Sequence, residues 1–365
     1  MSVLDDPAGL DAVADGLRAG HSLPASWYAD PELLAREQEL IFRRSWHYAG
    51  RADQVAEPGR FLCVDAGPVP LVIVRGRDGE LRALVNVCRH RGHPVLDGEG
   101  TCSTLQCPYH AWTYDLDGAL RKVPRGDREP GLDPDGLGLL PASVATWGPF
   151  LFAHPDPDAP AFAETLGELP AVLADCGVDL GRLAFRRRVP WTLEANWKVA
   201  VENYLECYHC PVAHPGLAKA IDVGADGYAL EEFPGFSVQR GAARPASPAW
   251  MHADEVTRAQ YHWLWPNVTI NVDPGPQNLS VDVWRPDGAG RTLGFTDYFF
   301  GPEVPDAVAE EVLAFSLQTG REDVALVEAV QRGMASGAVA TGRLMPESER
   351  LVAHFQRLVV DALRG

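Results

Sequence analysis

The chain has 365 residues, more than a single hydrophobic core usually serves, so two domains are expected. At 46% hydrophobic and 22% charged residues it reads as an ordinary globular protein, neither disordered nor fibrous. The net charge of -18, with no Lys/Arg block to offset it, speaks against nucleic-acid and anionic-membrane binding and leaves small molecules and protein partners.

No run of 18 or more apolar residues occurs, and the N-terminal stretch is acidic rather than basic, so a cytoplasmic location is expected. The seven cysteines (Cys63, Cys88, Cys102, Cys107, Cys176, Cys207, Cys210) are an odd number, which suits metal binding or burial better than a disulfide framework.

Residues 8–44 are expected to be helical, with Pro31 as a first-turn proline of the last helix. From Trp46 the pattern changes to short β runs, Phe61 to Val64, Leu71 to Arg75 and Leu81 to Val87, separated by turn signals such as Arg77-Asp78-Gly79-Glu80. A small antiparallel β domain follows from them.

Inside it lie Cys88-Arg89-His90 and, after 16 intervening residues, Cys107-Pro108-Tyr109-His110. Two thiolates can hold one iron of a two-iron two-sulfur (2Fe-2S) cluster while two imidazoles hold the other. A structural zinc site uses the same ligand types, but its knuckle places both cysteines in one loop, whereas here each loop supplies one Cys and one His. The spacing favours the cluster.

The Pro- and Asp-rich segment Pro155 to Pro160 marks a boundary. Beyond it the periodicities predict strands at Phe185–Trp191, Asn267–Val272, Leu279–Trp284 and Thr292–Phe300, and helices at Asn196–Tyr208, Val304–Gly333 and Glu347–Leu363. Elements in blocks, without strict βαβ alternation, indicate an α+β domain.

The helix predicted at 196–208 runs into Glu206, His209 and His214. Glu206 and His209 would share one helix face. His214 would lie about 140° round from His209, so both reach one ion only if the helix ends or bulges between them, and Pro211 is placed to end it. Two histidines need a carboxylate to complete a facial triad with open positions on iron. Asp323 is the best candidate, on a stripe with Leu326 and Val330, while Arg321, Glu322 and Glu328 can face outward. Glu322 and Glu328 are the next carboxylates to consider. Cys207 and Cys210 are read as buried structural thiols rather than a redox pair, and Glu202 as a solvated or hydrogen-bonded helix residue. The aromatic stretch Tyr261-His262-Trp263-Leu264-Trp265 offers a cation-π surface, with core packing the stronger reading for Trp263 and Trp265.

Cys88 to His93 and Cys107 to Gly118 resemble the two binding loops of the Rieske non-haem iron oxygenases, and Glu-x-x-His-x4-His with a distant Glu-Asp helix resembles their catalytic domain, a likeness covering about residues 40 to 360. It implies an α+β architecture: an N-terminal helical segment (1–45), an antiparallel β Rieske domain (46–154), and a helix-grip catalytic domain (155–365) with a central antiparallel sheet flanked by helices. It implies cluster ligation by Cys88, His90, Cys107 and His110, and Fe(II) ligation by His209, His214 and Asp323. Glu206 would be the bridge that receives electrons from a neighbouring subunit's cluster, in a head-to-tail homotrimer. No Gly-x-Gly-x-x-Gly motif is present, so NAD(P)H and flavin would act through a partner reductase. Most of the family has Asp at the bridging position. Glu206 resembles the branch that oxidises quaternary ammonium compounds such as carnitine, glycine betaine and stachydrine. Hydroxylation of an aromatic acid or ring is the alternative activity. A Rieske electron carrier is the non-enzyme alternative, against which His209, His214 and Asp323 stand.

Overall fold

The computed structural model describes residues 7–253 and 255–365, so the first six residues of the N-terminal segment lie outside the description. The chain divides into two units, residues 42–165 and residues 1–41 together with 166–365. The expected N-terminal helices are α1 (Pro7–Arg18) and α2 (Pro31–Leu40), the second capped by the Asp30 carboxylate, which accepts from Glu32 N.

The smaller unit is built from β1 (His47–Arg51), β2 (Arg60–Ala66), β3 (Val69–Arg75), β4 (Leu81–Val85), β5 (Glu99–Thr101), β6 (Leu105–Gln106), β7 (Thr113–Tyr114), β8 (Leu120–Lys122), β9 (Pro141–Trp147) and β10 (Phe150–His154). Seven of these form an antiparallel sheet in the order β1-β10-β9-β4-β3-β2-β5, and β6-β7-β8 form a second, three-stranded one. Between β4 and β2 lies β3, whose successive side chains point to opposite faces and are buried on both. Leu71 and Ile73 pack with Leu62, Ala83 and Leu151 on one side. Val72 and Val74 pack with Cys88, Cys107, Trp112 and Tyr114 on the other, which seats the two Cys/His loops on the sheet.

After α3 (Phe162–Leu166), whose first four residues belong to the smaller unit, the larger unit continues through α4 (Leu169–Ala174), β11 (Ala184–Leu193), α5 (Trp197–Tyr204), α6 (Cys210–Ala213) and α7 (Pro215–Ala220). It then runs through β12 (Tyr228–Phe233), β13 (Phe236–Gly241), β14 (Ala259–Leu264), β15 (Val268–Val272), β16 (Asn278–Pro286) and β17 (Thr292–Phe300) to α8 (Asp306–Ala335) and α9 (Arg350–Leu363). Its seven strands make one antiparallel sheet in the order β11-β17-β16-β15-β14-β13-β12. The strand predicted at 292–300 is β17 itself, whereas the helix predicted at 196–208 stops at Tyr204.

The helices are tied to one another by buried polar contacts. Lys198 Nζ and Trp197 Nε1 of α5 both donate to the Glu37 carboxylate of α2, at 2.6 and 2.8 Å, and Lys198 and Glu37 are fully buried. Asn196 caps α5 through Lys198 N, while Gln331 of α8 accepts from Asn196 N and donates to Tyr28 O. These contacts join α5 to α2 and α8, and the candidate metal-binding side chains come from α8 and the segment after α5. Among the described residues, no helix is long and apolar enough to cross a membrane.

Candidate metal centres and active site

In the smaller unit each Cys/His loop is a tight turn closed by its own backbone. Cys88 N donates to His93 O and Gly92 N to Cys88 O. In the second loop Cys107 N donates to Trp112 O and Ala111 N to Cys107 O. Gly92 and Ala111 take positive φ (74° and 56°), where only the glycine is unstrained. Both thiols are buried, while His90 and His110 are exposed with ring centroids 4.6 Å apart. Trp112 stacks on His90 at 5.0 Å. The Tyr114 hydroxyl lies 3.2 Å from Cys88 Sγ and accepts from Arg89 N at 3.0 Å. Burial, followed by the neighbouring Cys88 thiol, pushes the Cys107 thiol up. Desolvation and then the positive charge of His90 and Arg91 lower the His110 imidazole, favouring the neutral, ligating form. Two thiols on the protein side and two imidazoles on the solvent side suit a two-iron two-sulfur cluster with one iron held by each pair.

In the larger unit the second constellation assembles differently from the sequence expectation. Glu206 and His209 do not share a helix face. The Glu206 carboxylate accepts from Tyr208 N and His209 N, and this local capture of backbone N–H groups competes with helix continuation. Pro211 does not end a helix either, but stands in the first turn of α6. Cys207 and Cys210 are joined in a disulfide across this bend, correcting their reading as separate thiols. His209 precedes α6 and His214 follows it, so the two imidazoles turn toward each other with Nε2 atoms 3.1 Å apart.

Asp323 of α8 completes the group: its Oδ1 lies 3.0 Å from His214 Nε2 and 3.6 Å from His209 Nε2. Adjacent vertices of an octahedron with bonds of about 2.1 Å lie about 3.0 Å apart, so these three atoms fit one face of such a site. Among the described residues this trio can hold a metal ion. Each ligand is oriented by a further contact. Glu206 meets His209 Nδ1, Glu322 Oε2 lies 2.9 Å from His214 Nδ1, and Asn203 Nδ2 donates to Asp323 Oδ1 at 2.7 Å. Burial pushes the His209 imidazole down, but Asp323 and Glu206 outweigh it and raise it to about 9. Burial would raise Asp323, yet the two imidazoles hold it well below the usual carboxylate range. The potential at this point favours a cation.

The stripe on α8 is shifted from the expected one. Leu326 and Val330 are exposed, and Asp323 shares its face with the buried Val327 and Gln331. Nor does Glu322 simply face outward, since it holds His214, and Glu328 accepts from Glu194 N. The sequence reading had Glu322 only as an outward-facing or reserve carboxylate and did not single out Asn203. Their adjacency to Asp323 and to Tyr204 was the available signal.

The triad opens on a cavity of about 460 Å³. Its far wall is the helix-facing side of the sheet, where strand register places Gln239, Tyr261, Asn271, Ser280 and Tyr298 in one row across five strands. Thr296 and Asp282 form the next row. Tyr204, Tyr228, Trp191 and Trp284 supply aromatic faces. Of the aromatic stretch at 261–265, Tyr261 reaches the cavity, while Trp263 is fully buried and packs edge-on against Phe355 of α9.

Residues 45–143 match the Rieske 2Fe-2S domain and residues 180–365 match the ring hydroxylating alpha subunit catalytic domain. The chain is 34% identical over 358 residues to the carnitine monooxygenase oxygenase subunit of Acinetobacter baumannii, covering 93% of this chain and 94% of that one. It is 32% identical over 351 residues to the chloroplastic choline monooxygenase of Spinacia oleracea, covering 94% and 79%. It superposes with a TM-score of 0.83 and 32% identity, covering 94% and 95%, on a quaternary ammonium Rieske monooxygenase whose structure was described for carnitine oxidation and inter-subunit electron transfer. With two such centres and these likenesses over nearly its whole length, the chain belongs to the Rieske non-haem iron oxygenases, as an α subunit carrying a Rieske domain and a mononuclear iron catalytic domain.

Proposed function

We propose that this oxygenase acts on a quaternary ammonium compound, which it hydroxylates or oxidatively demethylates or cleaves. The observation that carries this reading is the cavity beside His209, His214 and Asp323, walled by Tyr204, Tyr228, Tyr261 and Trp284 together with the carboxylates of Asp273 and Asp282. Aromatic faces attract a cation that cannot donate hydrogen bonds, and buried carboxylates repel an anionic aromatic acid, the alternative substrate. The relatives named for carnitine and choline point the same way.

In this reading Cys88, His90, Cys107 and His110 hold the cluster, and His209, His214 and Asp323 hold the mononuclear iron, which when bound supplies dioxygen activation. The chain's own residues do the rest. Tyr204, Tyr228 and Tyr261 bind and orient the cation, Glu206 and Glu322 fix the imidazole orientations, and Asn203 fixes the carboxylate. Glu206 also serves as the bridge between subunits of a homotrimer, its carboxylate accepting from His90 or His110 of the partner subunit. A flavin and iron-sulfur reductase draws electrons from NAD(P)H.

The test is turnover of a panel of quaternary ammonium compounds and aromatic acids with a surrogate reductase, read by mass spectrometry. Oxygenated or demethylated products from the ammonium compounds are expected. Product from the aromatic acids alone would overturn the reading.

A further inference from the structure

The two carboxylates of the cavity wall are not equivalent. Asp282 is saturated, accepting from Thr269 Oγ1, Asn271 Nδ2 and Thr296 Oγ1. Asp273, just past the end of β15, is 8% exposed and has one side-chain donor, the Tyr261 hydroxyl on its Oδ1 at 2.9 Å. Burial pushes its carboxyl up to about 6 against that single hydrogen bond, with no cation beside it to offset the desolvation. Tyr228 lines the same cavity as Glu206 and Asp273.

Gln239 lies in the same wall, 2% exposed. Its Nε2 donates to Tyr204 O at 2.6 Å, and its Oε1 is buried without a donor. An unpaired carbonyl in a protein interior costs free energy unless a ligand supplies the missing donor. Apart from His209 and His214, the basic residue lining the cavity is Arg321, which is solvent-exposed.

We infer that Asp273 and Gln239 are specificity-determining residues, and that they select a quaternary ammonium cation carrying an O–H or N–H donor and no carboxylate over a zwitterionic betaine. The inference rests on the quaternary ammonium reading and narrows it. The cation sits among the tyrosines beside Tyr228, its donor turns to the acceptors on the sheet, and Asp273 supplies the countercharge. A betaine brings its own carboxylate into the same wall, where it meets a like charge that is poorly screened.

Choline and glycine betaine differ at one carbon, an alcohol in one and a carboxylate in the other, and so make the probe pair. Their dissociation constants for the holoenzyme, measured by calorimetry, and their kcat/KM values with a surrogate reductase are the readouts. Wild-type enzyme should favour choline by about tenfold or more in both. Asp273→Asn should raise the KM for choline by about tenfold with kcat changed far less, and should shrink the gap between the two ligands. Gln239→Leu should weaken choline several-fold more than tetramethylammonium, which has no donor. Glycine betaine or carnitine bound as well as choline by the wild type would overturn the inference while leaving the quaternary ammonium reading standing, and this comparison needs no variant to fold. If no quaternary ammonium compound binds and an aromatic acid does, that reading falls and the inference with it.

Discussion

His209, His214 and Asp323 converge with their facing atoms 3.0, 3.1 and 3.6 Å apart, and the contacts behind them are where residue changes should be most informative. Replacing His209 or Asp323 by Ala removes one of the three proposed ligands from the catalytic unit while leaving the smaller unit untouched. Product formation should be lost with the visible cluster spectrum unchanged, and an Asp323→Ala protein that still turns over at the wild-type rate would show the third ligand to be misassigned. Glu322→Gln keeps the shape but weakens the carboxylate that orients His214 Nδ1. Changes of this kind typically cost about 10- to 100-fold in metal affinity or activity. Iron content after dialysis against a graded chelator measures it, and retention equal to wild type would mean that Glu322 orients nothing. Cys107→Ser should remove the visible spectrum of the cluster, as absorption spectroscopy would show.

At the scale of elements, α5 is held by polar contacts that couple stability to pH. Glu202 accepts from the Tyr28 hydroxyl at 2.7 Å and from Gln356 of α9 at 2.9 Å. Burial dominates these and raises its carboxyl to about 7. A raised folded-state value means that the folded protein holds this proton more tightly than the unfolded chain. The contribution is therefore fully present below the unfolded value of about 4.3 and is lost as pH rises through about 7. Glu202→Gln, which cannot ionise, should gain about 3 kcal/mol relative to wild type on going from pH 4 to pH 8. Urea denaturation at the two pH values checks this, and a difference independent of pH would mean that the group does not titrate with folding. The buried Lys198–Glu37 pair ties α5 to α2. Glu37→Ala leaves a fully buried ammonium without its partner and should cost about 3–5 kcal/mol, with α5 and its trailing ligands loosened together.

At the scale of the whole molecule, two metal centres lie in two units of one chain. The holoenzyme should contain about three irons and two acid-labile sulfides per chain. The proposed homotrimer makes each subunit's cluster serve its neighbour's iron. A cluster-dead Cys107→Ser subunit and an iron-dead His209→Ala subunit, each inactive alone, should therefore recover activity when protomers are exchanged into mixed rings. Demonstrated exchange without recovered activity, or an active monomer by light scattering, would remove the inter-subunit route and with it the bridging role of Glu206.

What the sequence determined by itself is what local spacing can encode. Cys-x-His and Cys-x-x-His each close within one turn, so the four proposed cluster residues could be named without knowing the fold. Short β-forming runs located β3 and β17, which are buried along nearly their whole length and so show little alternation. His209, His214 and Asp323 were legible as residue types in a pattern, but their convergence was not. It required α5 to stop at Tyr204, where Glu206 takes the backbone N–H groups that a longer helix would have used, and that competition is decided by packing against α2 and α8. The face of α8 was misjudged for a related reason: with apolar residues at 324, 326, 327 and 330, the periodicity admits more than one stripe, and only its neighbours choose Val327 and Gln331 over Leu326 and Val330. The cavity wall lay furthest from local reading. Gln239, Tyr261, Asn271, Ser280 and Tyr298 are brought into one row by the register of five strands, and Asp273 joins that wall through Tyr261. Such pairing is set by long-range hydrogen bonds, and no window of sequence contains it.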